Sequence, residues 1–135
     1  MKTGIISVGQ NLFETLLAIT AQEQERGLMY MQPPTPNMAF IYERPGINKF
    51  WMSNTPAQLD IVFCHDGKVT EICTGEPFST RMIGSNQLSD LVIELPYGTC
   101  LQSGIKLGHR VGFLQPTPDE LKQIIAGKYH GIVKI

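Results

Sequence analysis

The sequence predicts a single-domain, mainly β protein, an antiparallel sandwich or jelly-roll-like barrel with two short helices. A chain of 135 residues fits one domain and can bury a core without metals or disulfide bonds. Seven short runs rich in Val, Ile, Phe and Tyr are separated by turn residues, a spacing typical of sandwiches and barrels. The predicted strands are residues 4–8, 12–19, 38–42, 59–64, 69–73, 91–95 and 111–114.

The first helix is predicted near residues 21–26. Thr20 and Glu23 have the spacing of a capping box, and Gly27 suits the left-handed position that ends a helix. The run before it, residues 12–19, fits a strand but also presents one apolar face at helical spacing. The pattern alone leaves that run open.

The second helix is predicted near residues 118–126. Pro118 occupies the first helical position after the N-cap residue Thr117, and Gly127 is predicted to end the helix. One face of this helix is apolar and is formed by Leu121, Ile124 and Ile125. Residues 129–135 alternate weakly between polar and apolar, which predicts an additional edge strand.

The charges are balanced and interspersed. The chain has 11 basic and 12 acidic residues, which gives a formal net charge of −1 at pH 7. No basic stripe is available to a phosphate backbone, so no nucleic-acid partner is predicted. No stretch has the length and hydrophobicity of a signal peptide or membrane span, so we predict a soluble, cytoplasmic protein without a membrane partner.

The three cysteines, Cys64, Cys73 and Cys100, are odd in number and form no close-spaced pair. Three free thiols and no zinc knuckle are therefore predicted. Asp66-Gly67 predicts a tight hairpin turn that places Cys64 opposite Val69 and Asp60 opposite Cys73. In that register the two thiols of the hairpin are too far apart to bond.

The most site-like segment is Phe50-Trp51-Met52-Ser53-Asn54-Thr55, followed by Leu59-Asp60-Ile61-Val62-Phe63. It places the only tryptophan, an amide and a carboxylate in apolar surroundings, where polar groups need partners or serve a ligand. The candidate ligand-binding residues are Arg26, Trp51, Asn54 and Asp60. An aromatic face, an amide and a guanidinium together suit a sugar ring or a small anion.

Each candidate also has a structural interpretation. Arg26 fits a buried fork onto a carboxylate that would lock its helix to the sheet. Trp51 fits an anchor in the core or at its rim, because its apolar area is large. Asn54 fits a turn before the next strand.

The chain contains several short sequence blocks in this order: Arg26-Gly27-Leu28-Met29, Met38-Ala39-Phe40, Phe50 to Thr55, Leu59 to Phe63, Val92-Ile93-Glu94-Leu95, Gly98, Gly104-Ile105 and Gly108. Their order and spacing resemble the domain of unknown function 192 family over roughly residues 12–114. The resemblance implies a compact, mostly antiparallel β fold with one short helix preceded by a strand, and no established activity. Residues 115–135 are interpreted as an extension beyond the shared domain.

Two positions depart from the family pattern. The family usually has a basic residue where this chain has Met31, and an acidic residue where it has His109. The resemblance implies that any charged ligand of those family positions is not bound in the same way here.

The predicted function is that of a non-catalytic binding or accessory domain for an unknown small polar ligand or protein partner. No metal or cofactor is predicted, because the histidines are scattered and no phosphate-binding motif is present. One alternative is a small hydrolase or carbohydrate-active enzyme that uses Asp60 and Glu94. A second alternative is a structural or assembly protein. The sequence leaves the oligomeric state open.

Overall fold

A computed structural model describes residues 1–130 of the chain, with side chains as far as Gly127. Within residues 1–130, seven strands form one curled sheet, which confirms the mainly β class. The strands are β1 (Lys2–Val8), β2 (Asn11–Ala18), β3 (Met38–Gly46), β4 (Leu59–His65), β5 (Lys68–Gly75), β6 (Ser89–Pro96) and β7 (Val111–Gln115). The helices are α1 (Ala21–Arg26), α2 (Thr99–Ser103) and α3 (Pro118–His130).

The strand order in the sheet is β5-β4-β6-β3-β2-β1-β7. All neighbours are antiparallel except β2 and β3, which are parallel, so the prediction of a wholly antiparallel sheet is wrong at this pair. The reason is that α1 and the proline-rich loop carry the chain back to the starting end of β2 before β3 begins. The two edge strands meet at one end, where the Val69 N–H donates to the His109 carbonyl at 2.9 Å, so the sheet is a half-barrel.

The two faces of the sheet carry separate apolar clusters. The inner face includes Ile6, Leu17, Val62 and Ile93, and it also holds α2 and α3. The outer face holds Leu28, Phe40, Met52, Leu59, Ile61, Phe63 and Val92. Because side chains alternate along a strand, neighbouring residues of β4 and β6 belong to different clusters. This alternation decides which polar residues can meet.

The hairpin formed by β4 and β5 contains an irregularity that the sequence did not indicate. His65 pairs with Lys68 and Cys64 with Val69, as predicted, but the register shifts between Phe63 and Cys64. Asp60 therefore lies opposite Thr74, not Cys73. A bulge places one extra residue on one strand of the pair. The predicted free thiols are confirmed at all three cysteines.

Helix α1 begins and ends as predicted. The Glu23 N–H donates to Thr20 Oγ1 at 3.2 Å, and the Thr20 N–H donates to Glu23 Oε1 at 3.0 Å, which completes the capping box. Gly27 ends the helix with φ of 51° and ψ of −130°, a conformation that suits glycine. The ambiguous run before α1 is strand β2.

Helix α3 begins at Pro118 but does not end at Gly127, because it continues to His130. The predicted edge strand is thus wrong for its first two residues, and residues 131–135 lie outside the described part. Leu121 is buried in the inner-face cluster, and Ile124 and Ile125 pack against that cluster. Across residues 1–130 no helix combines the length and apolarity that spanning a membrane requires.

Truncation after Gln115 is expected to destabilise the domain, because it uncovers the inner-face cluster. Leu121→Ala should lower the free energy of unfolding by about 2–4 kcal/mol, the usual range for a buried leucine. Lys122→Ala, which shortens an exposed neighbour, is the matched control and should behave as the parent. Chemical denaturation measures all three. A truncated domain that unfolds like the parent would make α3 a separable tail.

Candidate functional site

A cavity of about 200 Å³ lies on the outer face, between the end of α1 and the segment that contains Trp51. Its walls come from four parts of the chain that are distant in sequence. The lining residues are Gln24, Glu25, Arg26, Gly27, Leu28, Met29, Phe40, Lys49, Phe50, Trp51, Thr55 and Glu94. Two of the four predicted site residues, Arg26 and Trp51, are therefore brought together at one cavity.

Trp51 is held at the cavity by its two neighbours. Phe50 packs edge-on against Phe40, with ring centroids 4.8 Å apart, and Met52 is fully buried. Met52 fits there because residue 75 is a glycine. A Cβ atom at that position would lie only 2.6 Å from the Met52 sulfur. With both neighbours facing inward, the Trp51 side chain faces outward and is 50% exposed. An indole in this position can bind a ligand on its free face.

Arg26 is positioned by α1, which is fastened to the sheet. The Gln24 Nε2 donates to the Ile41 carbonyl at 2.8 Å, and Gly27 packs on Phe40, whose Cζ would lie 3.4 Å from an added Cβ. The Arg26 side chain is exposed, and its guanidinium lies 6.0 Å from the centre of the Tyr30 ring. Within the described residues it forms no ion pair. The interpretation as a buried fork is therefore wrong, because the helix end faces solvent.

Glu94 forms the floor of the cavity. Its side chain is 4% exposed and lies on the outer face of β6, opposite Met38 of β3 and Ile61 of β4. No hydrogen bond or ion pair to the carboxyl is present among residues 1–130. Burial raises the pKa of Glu94 to about 8. An unpaired buried carboxyl facing a cavity is a group that a ligand can satisfy.

Asn54 lies beside the cavity rather than in its lining. It adopts φ of 57° in a turn where the Thr55 N–H donates to the Met52 carbonyl at 3.0 Å. Its own carbonyl accepts from the Tyr30 N–H at 2.8 Å, and Tyr30 also has positive φ, of 66°. Asparagine tolerates this conformation better than most residues. The turn interpretation thus describes its backbone, and its hydrogen bond with Tyr30 joins the chain next to the lining residues Met29 and Thr55.

Asp60 belongs to a different part of the molecule. It is 6% exposed, and its Oδ2 accepts from the Cys100 N–H at 2.9 Å, near the beginning of α2. Burial, the charge of Asp60 and a hydrogen bond to it raise the pKa of the Cys100 thiol to about 12. This carboxylate therefore serves as a cap for the first turn of α2. The structure does not bring it to the Trp51 cavity.

The carboxylate pair of the hydrolase alternative is not assembled. Asp60 pairs with Leu95 and Ile61 pairs with Glu94, so the two acids are offset by one residue on adjacent strands. Their side chains therefore point to opposite faces of the sheet. A glycosidase needs both carboxyls in one cleft, where they flank the scissile bond of the same substrate.

Sequence reasoning missed Lys49 and Thr55 as lining residues, and it considered Glu94 only for hydrolysis. Glu94 had one usable signal, an acidic residue at the centre of the apolar run Val92-Ile93-Glu94-Leu95. The two departures from the family pattern have local roles: Met31 packs on the outer-face cluster, and His109 Nδ1 accepts from the Lys106 N–H at 3.3 Å.

Other sites offer less. A cavity of about 590 Å³ lies over β1, β2 and the proline-rich loop, but Glu14, the ionisable residue among its described lining residues, is exposed. Between Met1 and His130, no three His, Cys, Asp or Glu side chains converge as metal ligands would. The Glu94 cavity is thus the strongest candidate site.

The fold and cavity define a mainly β domain with one small, indole-walled pocket. The model of the family described as domain of unknown function 192, Uncharacterized ACR, matches residues 5–113. The chain belongs to this family. No curated protein matches it significantly.

Two solved structures share the fold. A protein of unknown function from Novosphingobium aromaticivorans DSM 12444 is 29% identical, with a TM-score of 0.76 over 81% of this chain and 84% of that one. A protein from Sinorhizobium meliloti 1021, described as "a putative transcription regulator", is 26% identical, with a TM-score of 0.77 over 83% of this chain and 94% of that one. The family description names no biochemical activity.

Proposed function

We propose that the protein is a non-catalytic binding domain and that a small polar ligand occupies the Glu94 cavity. The observation that carries this proposal is the buried carboxyl of Glu94, which lacks a partner within residues 1–130 and faces a cavity beside a half-exposed tryptophan. Burying an unpaired ionisable group lowers stability unless something binds it. Selection for stability alone would favour an apolar residue at this position.

The lining supplies the other groups that a small-molecule site needs. Apolar walls come from Phe40, Phe50 and Leu28, while Arg26 and Lys49 provide charged donors near the opening. Such a mixture of apolar surface and a few polar groups is typical of ligand pockets. We place the site at Arg26, Trp51 and Glu94, with Asn54 shaping its rim.

The proposal is tested by fluorescence, since Trp51 is the only tryptophan. A panel of mono- and oligosaccharides, nucleotides, small carboxylates and amino acids is titrated into the parent. At least one compound should produce a saturable change, and Glu94→Gln should weaken its binding at least tenfold, because the carboxyl that the ligand contacts is lost.

Two variants of α1 sharpen the test. Arg26→Ala should also weaken binding, whereas Gln22→Ala, at an exposed position of α1 outside the cavity lining, is the matched control. Circular dichroism establishes that each variant is folded. A panel that yields no saturable change, or a change that survives Glu94→Gln in full, would contradict the proposal.

The description of the Sinorhizobium protein does not alter this proposal. The present chain has nearly equal numbers of basic and acidic residues, and we propose no nucleic-acid partner. The single-domain organisation, the jelly-roll-like closure of the sheet and the cytoplasmic location stay predictions.

A further inference from the structure

The two ends of the Glu94 cavity differ in charge. The floor has one carboxyl, whereas two cations, Arg26 and Lys49, lie at the exposed opening. Glu25 is the acidic lining residue at that opening, so the opening keeps an excess of one positive charge. A ligand that satisfies both ends carries a positive group inside and a negative group outside.

The walls between the two ends suit a positive group. Phe40, Phe50 and Trp51 all line the cavity, and Phe40 and Phe50 are fixed relative to each other by an edge-on contact. The faces of aromatic rings attract cations, and they do so more strongly where water is excluded. A carboxylate at the end of such a pocket is the natural partner of an ammonium group.

Given the binding function proposed above, we infer that the occupant is a small zwitterion, with its ammonium group on Glu94 and its anionic group facing Arg26 and Lys49. A simple amine would be repelled by the cations at the opening. A simple acid would meet like charge once Glu94 is ionised. An amino-acid-like molecule avoids both penalties.

The release of a proton on binding distinguishes a zwitterionic ligand from a neutral one. The charged and titratable groups around Glu94 are Glu25 and Arg26 of α1, Lys49 of the loop before Trp51, and Tyr42 of β3. Burial, and then the charge of Glu94, raise the pKa of Tyr42. Burial keeps free Glu94 protonated below about pH 8. An ammonium group binds the ionised form, so binding must release a proton. A neutral ligand that accepts from the protonated form releases none.

The experiment uses isothermal titration calorimetry with glycine, 4-aminobutanoate and 6-aminohexanoate, three zwitterions that differ in the separation of their charges. Each is compared with its matched amine and its matched acid. At least one zwitterion should bind more tightly than both matched compounds. Its affinity should rise roughly tenfold between about pH 6 and pH 7 and level off above about pH 8. Heats in buffers of different ionisation enthalpy should report the release of about one proton.

Two variants locate the charges. Glu94→Gln should abolish binding of the zwitterion together with its pH dependence. Lys49→Ala should weaken the zwitterion but not the matched amine, whereas Glu25→Gln, which removes the acid at the opening, should not weaken the zwitterion. The number of protons released on binding is measured on the parent protein alone. It therefore tests the inference even if a variant fails to fold.

The results distinguish a failure of the zwitterion inference from a failure of the proposed ligand site. If a neutral sugar binds and its affinity falls above about pH 8, Glu94 acts as a donor, which overturns the zwitterion and leaves the ligand site. If a zwitterion binds without proton release, or binds equally well to Glu94→Gln, the inference is overturned. If neither these probes nor the wider panel binds, both proposals fail.

Discussion

Glu94→Gln is expected to make the protein more stable than the parent in mildly alkaline solution. Burial raises the pKa of Glu94 from 4.5 in the unfolded chain to about 8 in the folded one. Between these two values the folded protein binds a proton that the unfolded chain has lost. The contribution of this group to stability is therefore lost as the pH rises through that window, and the full loss is on the order of 5 kcal/mol.

The pH dependence of the difference is the diagnostic quantity. Chemical denaturation at intervals between about pH 4 and pH 9 should show the parent losing stability relative to Glu94→Gln as the pH rises. Glu25→Gln, which removes an exposed carboxyl at the rim of the same cavity, serves as the matched control and should follow the parent. A difference between Glu94→Gln and the parent that stays constant with pH would mean that Glu94 is solvated or paired.

Asp60→Ala is expected to destabilise the protein by about 2–4 kcal/mol. The substitution leaves the Cys100 N–H without its acceptor in a buried place, removes the cap of α2 and opens a small void. Asp60 and Glu94 are both buried acids in the sheet, yet their effects on stability are opposite. Asp60 stabilises the fold through a backbone hydrogen bond, whereas Glu94 destabilises it unless a ligand binds.

Asp60→Asn is the control for that prediction. It keeps an oxygen that can accept from the Cys100 N–H, so it should lose much less stability than alanine. Denaturant midpoints of the parent and the two variants give the comparison. If Asp60→Ala has a midpoint equal to that of the parent, the carboxylate contributes nothing to the fold.

The strands and α1 could be predicted from the sequence because their signals are local. Alternation, the hairpin dipeptide Asp66-Gly67 and the capping box of Thr20 and Glu23 each depend on residues within one turn or one strand. The length of α3 was underestimated at Gly127, because glycine weakens a helix without always ending it. Helix α2 was missed because it is five residues long and begins after Gly98 in a left-handed conformation.

The candidate site was predicted only in part, for a geometric reason. Arg26 and Trp51 lie at one cavity, but the acid that lines it is Glu94 and not the predicted Asp60. Which face of the sheet each acid occupies depends on the register between β4 and β6, and a shift of one residue reverses it. The parallel pairing of β2 with β3 was not predicted either, because it arises from the path of the intervening loop.

The protonation state of the Glu94 carboxyl can be observed directly by nuclear magnetic resonance. The side-chain carboxyl carbon of Glu94, assigned by its absence in Glu94→Gln, is followed through a pH titration of the ligand-free protein. The structure predicts a midpoint far above the ordinary glutamate value of 4.5, at about 8. A midpoint near 4.5 would contradict the central claim, because the floor of the cavity would then be a hydrated surface carboxylate rather than a buried group awaiting a ligand.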